Sequence, residues 1–460
     1  MPRGKIFTFL LLSAMGLTCL SQDRPVYIFQ KDDSLLKRNY YNQVIHKKKS
    51  LVSSVEKKQY ATDYKKVYET QFKEISELWL SSRIVTASPA HDYLQAVLKQ
   101  ILSVNPELKS MDLRVAFSRD WWPNAFSMGE GSIAINGGLF IFLKDEAELA
   151  FVLCHELAHY YLDHTNKSIR KSIETLNSDS LKQEIKSISK QEFRQNEQLE
   201  KLVKLFVFDK SRHSRDHESE ADHVAYRFMK KTGYDTRAIR SCLELLDKVN
   251  DSSLFSPLEL QKIFHFPEYG FRKKWIQNES AIFNQMNETY SPLTKEERDS
   301  LKTHPDCEKR IRLLEDSISL GKGRFWLVDE KLFMQLKKEF IPEITEQNYR
   351  DEQLASNLYY SLQLLQFPEY EPMAVYSVAR CLNALYESQK NHEIGLKIGA
   401  ENKAYSADYN LLLRMLSRVR LDELAALNYQ FCKKYVTKMN GYTGFKEEME
   451  KARKINFSHN

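Results

Sequence analysis

The sequence predicts an α+β fold that is mostly helical, with a small sheet in its first half and an all-α domain in its second. Two segments, "DLRVAFS" (112–118) and "SIAINGGLFIFL" (132–143), carry the β-branched and apolar residues typical of strands. Elsewhere apolar residues recur at helical spacing, and from about Asp329 the composition is helical to the end. Because a chain of 460 residues is too long for one typical core, we expect more than one domain.

The composition divides the chain into consecutive segments. These are a leader over 1–21, an N-terminal helical segment over 22–84, a first domain over 85–320 with a charged helical insertion over 166–215, and an α-helical domain over 325–460. Within the second segment, residues 22–50 are polar and predicted to be irregular, and helical spacing starts near Val52. The last domain is either a set of helical repeats or a single irregular bundle, because no clean repeat period appears.

The first 21 residues have the layout of a secretory signal peptide. The basic residues Arg3 and Lys5 precede an apolar run, and small residues lead to a cleavage point after Ser21. Acylation of Cys19 in a lipoprotein and an uncleaved anchor are the alternatives. No later run reaches the ~18 apolar residues that a spanning helix needs. The sequence therefore predicts an exported chain without a transmembrane span after cleavage.

Charge and cysteine content exclude several classes of protein. The formal net charge is +6, and it falls by two to +4 if the leader is removed. This is mild for the length, so short basic clusters such as "HKKKS" (46–50) indicate solvated helix faces, and we expect no nucleic-acid partner. The six cysteines are widely spaced without a CxxC motif, so a disulfide framework is not indicated.

The segment "DEAELAFVLCHELAHYYLDH" (145–164) predicts an amphipathic helix that contains an H-E-x-x-H motif. His155 and His159 are four residues apart, so their side chains differ by only about 40° around the helix axis. Two neutral imidazoles suit Zn²⁺, and Glu156 beside them can hold a water and transfer its proton. The motif is short, and a buried helix with two ordinary histidines is the alternative.

A second predicted helix offers a third ligand. In "HESEADHVA" the residues Glu218 and Asp222 are four apart and lie on one helix face. Glu218 can complete a metal site, and Asp222 can hydrogen-bond the free ring nitrogen of a ligand histidine. Glu220 points roughly 200° away from Glu218 around the helix, and is the poorer ligand.

Other histidines near these motifs are predicted to be off the metal. His164 lies nine residues after His155, which places it on the opposite side of a continuous helix. His217 and His223 adjoin the second motif but face elsewhere, at the surface or behind the ligands.

Four segments together resemble metallopeptidase family 48, the HtpX-like and CAAX-prenyl-protease-type zinc endopeptidases. In order, they are "NAFSMGEGSIAINGGLF" (124–140), the H-E-x-x-H helix with its E-L-A-x-V-L lead-in (145–164), "ESEAD" (218–222) and "HPDCEKR" (304–310). The resemblance covers about residues 85–318.

The resemblance implies a zincin-like metalloprotease domain with one zinc ion. His155, His159 and Glu218 would ligate the zinc, and Glu156 would be the general base and acid. A structural zinc site is a weak alternative, because such sites usually fill four positions with Cys and His.

Substrate-binding residues are also implied. Asn124, with Ala125 and Phe126, would lie beside the substrate backbone. The strand from Ser132 would pair with an extended substrate, which gives main-chain recognition with little sequence preference.

The last matching segment implies two further catalytic residues. His304 and Arg310 would approach the metal site and stabilise the oxyanion or contact substrate. His304 could also be a reversible fourth ligand that keeps the enzyme latent, or an ordinary histidine before the helix start at Pro305.

Many relatives span membranes several times, and this sequence shows no such spans. It therefore looks closer to the periplasmic members that carry C-terminal helical repeats. We therefore expect a zinc metalloendopeptidase in cell-envelope protein quality control, with misfolded envelope proteins as polypeptide substrates. Its C-terminal helices are a candidate surface for a protein partner. The alternative is a latent protease that acts mainly as a chaperone or assembly factor through those helices.

Overall fold

The computed structural model describes residues 29–189, 215–248, 257–277, 306–402 and 405–458. The predicted leader, most of the second half of the predicted insertion and His304 lie outside these residues. Within the described ranges, no helix is long and apolar enough to cross a membrane. The described cysteines are free thiols and all are buried.

The observed elements confirm a mostly helical α+β fold. The strands are β1 (Ile84–Val85), β2 (Arg114–Ser118), β3 (Ala125–Ser127) and β4 (Ser132–Asn136). The helices that precede residue 300 are α1 (Ser34–Val55), α2 (Ala61–Leu80), α3 (Ala90–Val104), α4 (Gly137–Phe140), α5 (Glu146–Tyr161), α6 (His164–Asn177), α7 (Asp179–Ser189), α8 (215–230), α9 (Ala238–Lys248) and α10 (Leu260–Ile263).

The remaining described helices form the C-terminal part. They are α11 (Cys307–Ile318), α12 (Glu330–Arg350), α13 (Leu354–Leu364), α14 (Glu371–Lys390), α15 (Ile394–Ile398), α16 (Ala407–Arg418), α17 (Leu421–Tyr435) and α18 (Thr443–Phe457). Two short 3₁₀ helices, Pro106–Leu108 and Lys273–Trp275, complete the elements.

The sheet corrects the prediction for the strand from Ser132. Its strand order is β1-β2-β4-β3, with β2 and β4 parallel and the other pairs antiparallel. The strand β4 is therefore internal and has no free edge for a substrate, because the hairpin folds β3 onto it. The terminal strand of the sheet is β3, which carries Ala125 and Phe126.

The predicted strand over 132–143 ends early. After Asn136 the chain turns into the short helix α4, and a Cβ atom at Gly138 would lie 1.7 Å from the carbonyl oxygen of Trp121. Only glycine fits there, so Gly138 allows the close chain contact that turns the strand into a helix.

The prediction of irregular structure over 22–50 is wrong from Ser34 onward, where α1 begins. The Asp33 side chain accepts hydrogen bonds from the backbone N–H groups of Leu35 and Leu36, and α1 packs against α2. Few α1 residues are buried, Val44 and Val55 among them, so its apolar spacing is too sparse to reveal a helix.

Two large cores lie along the chain. The first joins the sheet with α3, α5, α8, α9 and α11, and it also buries Phe333, Phe340 and Ile344 of α12. The second is built from residues 258–275 and the helices from α13 onward. The helix α12 therefore connects the two cores, because its residues up to Ile344 lie in the first core and Tyr349 packs against the second.

A buried glutamate fixes the start of α5. Glu146 accepts hydrogen bonds from the hydroxyl groups of Tyr93 (2.7 Å) and Tyr234 (2.6 Å) and from the backbone N–H groups of residues 327–329. One side chain thus joins α3, the chain after α8 and the segment that leads into α12. This network sets the position from which α5 enters the core.

Candidate metal centre

Three side chains of the described residues converge on one point. The Nε2 atoms of His155 and His159 are 3.0 Å apart, and they lie 3.4 Å and 3.2 Å from the two carboxylate oxygens of Glu218. Two donors about 2.05 Å from a tetrahedral zinc ion are separated by about 3.4 Å. The three donors therefore fit a metal ion of that size.

The helix α5 holds the two histidines rigidly. The Asp145 side chain accepts a hydrogen bond from the backbone N–H of Glu148 and so caps the helix, and α5 is buried from Glu146 to Ala158. The third donor comes from α8, which packs its Ala221 and Ala225 into the same core. Small residues at this contact allow the two helices to approach each other closely.

Asp222 orients one of the histidines. Its Oδ1 atom lies 2.9 Å from Nδ1 of His155, which leaves Nε2 of that ring for the metal. Burial alone would lower the pKa of His155, but hydrogen bonds to Asp222 and Glu218 raise it to about 10. Burial would raise the pKa of Asp222, and the Arg310 guanidinium instead lowers it to about 2.

Arg310 lies behind the ligands. Its Nη1 atom is 2.9 Å from Glu218, and its guanidinium pairs with both oxygens of Asp222. The side chain is only 1% exposed. Burial would lower the pKa of Arg310, but the charges of the two carboxylates raise it, so the group is a fixed cation beside the site.

Glu156 is the residue that the sequence predicts as the general base. It follows His155 directly on α5, and its side chain is buried. Its Oε1 atom makes no hydrogen bond to any residue that the structure describes. A buried carboxylate oxygen without a partner is costly, so it indicates a group that bonds to a bound water or substrate.

The structure places His164 differently from the sequence prediction. The helix α5 ends at Tyr161, Asp163 adopts a left-handed conformation (φ 58°), and His164 begins α6. The turn brings Nδ1 of His164 to 2.9 Å from Nδ1 of His159. His164 is not one of the three clustered donors, yet it contacts one of them, which the spacing of a continuous helix did not predict.

The acidic and histidine residues around His164 form a small network. Glu220 Oε2 lies 3.2 Å from its Nε2 atom, and the ring of His217 stacks on it at 4.1 Å between centroids. Burial and the charge of His159 lower the pKa of His164 to about 4. His223 is exposed and bonds the backbone oxygen of Ser219 instead.

The edge strand β3 packs against α5. In its pairing with β4, the hydrogen-bonded positions include Asn124 and Met128, so the alternate backbone groups of Ala125 and Ser127 point away from the sheet. Asn124 Oδ1 and Ser127 Oγ are buried and have no hydrogen-bond partner among the described residues. Ser127 was not predicted from the sequence, because only the strand order reveals that β3 is the outer strand among the described residues.

This arrangement lies within a recognisable domain. A family model described as Peptidase family M48 matches residues 90–318. The chain belongs to peptidase family M48. The match confirms the resemblance inferred over residues 85–318, and it includes every described residue of the candidate centre.

This chain is similar over part of its length to several curated M48 relatives. It is 29% identical over 105 residues to the mitochondrial metalloendopeptidase OMA1 of Schizosaccharomyces pombe (23% of this chain, 31% of that protein). It is 25% identical over 196 residues to OMA1 of Arabidopsis thaliana (42% and 35%) and 25% identical over 171 residues to the metalloprotease YcaL of Escherichia coli (37% and 65%). The matches thus span about a third of each OMA1 protein and 65% of YcaL.

Proposed function

We propose that this M48 protein is a zinc-dependent endopeptidase. The observation that carries the proposal is the triangle of donor atoms from His155, His159 and Glu218. It is joined by the buried Glu156, which follows His155 in the chain and whose Oε1 atom has no hydrogen-bond partner among the described residues. Two imidazoles and one carboxylate are a ligand set of catalytic zinc sites, which keep one position open. The names of the relatives, metalloendopeptidase and metalloprotease, agree with this chemistry.

When bound, zinc would supply a Lewis acid that activates water and polarises the scissile carbonyl. Glu156 would orient the attacking water, take its proton and deliver it to the leaving amine. Asp222 would hold His155 in the tautomer that offers Nε2, and Arg310 would offset the negative charge of Asp222 and Glu218. We assign Arg310 to positioning, because its buried guanidinium is occupied by these two carboxylates.

The substrate would bind as an extended strand against β3. The outward N–H and C=O groups of Ala125 and Ser127 can pair with a peptide backbone, and Asn124 would lie beside it. Because these contacts involve the main chain, unfolded polypeptides of varied sequence are the expected substrates.

We further propose an exported protease that removes misfolded envelope proteins. The signal-peptide layout of residues 1–21 supports export, with acylation at Cys19 as the alternative form of it. The helices that follow α12 form the second core together with residues 258–275, and they are the candidate surface for a protein partner.

Cleavage of unfolded casein by the purified chain tests the activity. We expect the wild-type protein to cleave casein. Glu156→Gln should cleave it about 10²–10⁴-fold more slowly while retaining zinc. The exposed Glu74→Gln is the matched control and should cleave like wild type. A wild-type protein that binds zinc but does not cleave would favour the latent protease or chaperone.

A further inference from the structure

The two candidate ligand histidines are supported in different ways. His155 has a direct carboxylate partner, because its Nδ1 atom contacts Asp222 at 2.9 Å. The corresponding nitrogen of His159 faces the imidazole of His164 at 2.9 Å. A carboxylate is nevertheless present one step further out, since Glu220 lies 3.2 Å from the other nitrogen of His164.

The protons of this chain of contacts can be assigned from its geometry. His159 Nε2 faces His155 and Glu218 in the metal centre, so a neutral His159 carries its proton on Nδ1. That N–H can donate only to an unprotonated Nδ1 of His164. The proton of a neutral His164 is then on Nε2, where it donates to Glu220.

We propose that His164 and Glu220 are positioning residues that hold His159 in the tautomer and ring orientation required for metal binding. The inference rests on the proposed zinc site. It gives each ligand histidine a carboxylate-terminated support, direct for His155 and relayed through a second imidazole for His159. Such outer contacts raise the basicity of a ligand histidine and restrict its rotation.

The backbone around His164 supports a fixed position. The preceding residue, Asp163, has φ 58°, which turns the chain sharply between α5 and α6. Thr165 then packs so closely against Gly129 that a Cβ atom there would lie 2.4 Å from the threonine Cβ. The His164 side chain is 4% exposed and stacks on His217, so its ring has little freedom to rotate.

Zinc affinity of the full chain tests the proposal independently of proteolysis. The dissociation constant is measured by competition with a chromophoric chelator, for wild type, His164→Ala, His164→Asn and Glu220→Gln. The control is His223→Ala, which alters an exposed histidine on the same helix as Glu220. Thermal unfolding of each metal-free protein reports whether the fold is retained.

We expect His164→Ala to weaken zinc binding about 10–100-fold. His164→Asn should stay within about 3-fold of wild type, because its Oδ1 atom can occupy the place of Nδ1 and accept the proton of His159. Glu220→Gln should lose less than His164→Ala, since its side chain is 53% exposed and keeps one acceptor oxygen. His223→Ala should bind zinc like wild type.

A spectroscopic measurement separates positioning from general stability. The visible absorption of the Co²⁺-substituted protein should change in His164→Ala and return toward wild type in His164→Asn. Equal zinc affinity and equal Co²⁺ spectra for wild type and His164→Ala would overturn the relay alone. A wild-type chain that binds no zinc would instead overturn the proposed function together with the relay.

Discussion

Arg310 and Asp222 form a two-point ion pair inside the protein, from Nε to Oδ2 at 2.6 Å and from Nη2 to Oδ1 at 2.7 Å. Both side chains are 1% exposed. Because Asp222 also contacts His155, the pair connects α11 to the candidate metal centre. The segment 304–310, which contains Arg310, thus contacts the candidate metal centre through the carboxylate of Asp222.

Removing Arg310 should therefore affect stability and metal binding together. In Arg310→Ala, Asp222 and Glu218 would be left as buried charges without their cation, which costs about 3–5 kcal/mol. Urea unfolding of the metal-free protein measures this loss, and Arg312→Ala on the exposed face of α11 is the control. If Arg310→Ala kept normal stability and zinc affinity but lost cleavage, Arg310 would instead contact the substrate, as the family resemblance implied.

Glu146 should be among the most sensitive carboxylates of the chain. Its five described hydrogen bonds link Tyr93, Tyr234 and residues 327–329 to the start of α5. Glu146→Ala would leave these buried donors unsatisfied, and we expect a loss of at least about 3 kcal/mol in the free energy of unfolding. Glu146→Gln should lose less, and the exposed Glu330→Ala should change little. An unfolding curve of Glu146→Ala that overlays wild type would refute this role.

Proline substitutions at two neighbouring positions of β3 should have different effects. Ser127→Pro removes an outward N–H and keeps the pairing with β4, so kcat/KM for long peptides should fall about 2–10-fold with zinc content unchanged. Phe126→Pro removes an N–H that faces β4, so it should lower the thermal unfolding temperature instead. If Ser127→Pro cleaved long peptides at the wild-type rate, the substrate would not bind at this edge.

The second core contains a pH-dependent contact of its own. The fully buried Glu423 accepts hydrogen bonds from Lys274 and Trp275, and although burial raises its pKa, these bonds lower it to about 2. Since the ordinary value is 4.5, the stabilisation is present above pH 4.5 and is lost as the pH falls toward 2.

The variant Glu423→Gln should accordingly lose about 1.5–3 kcal/mol of unfolding free energy at pH 7 and less at pH 3. Trp275 fluorescence follows the transition, because its ring nitrogen contacts Glu423 directly. The exposed Glu447→Gln serves as the reference. A difference from wild type that grows between pH 7 and pH 3 would contradict the assigned direction.

Much of the site could be predicted because it depends on helical spacing. His155 and His159 are four residues apart, and so are Glu218 and Asp222. This separation places each pair on one face of an α-helix, independently of the tertiary structure. The structure brings these side chains together through the contact between α5 and α8. The family match over 90–318 confirms the predicted resemblance to peptidase family M48.

The remaining features depend on chain turns that spacing does not reveal. His164 reaches His159 only because α5 stops at Tyr161 and Asp163 turns the chain. The outer strand of the described sheet is β3, and not β4, because strand order is set by tertiary pairing. The helix α1 was missed for a different reason, since it buries too few residues to show a clear apolar face.

Zinc content and casein cleavage, measured on one preparation before and after chelation, test the central claim most directly. We predict about one zinc per chain, loss of cleavage when a chelator removes it, and recovery when stoichiometric zinc is restored. Glu156→Gln should carry the same zinc and remain inactive throughout. Cleavage that persists after the metal is removed, or that Glu156→Gln retains, would contradict a zinc endopeptidase that uses Glu156 as its base.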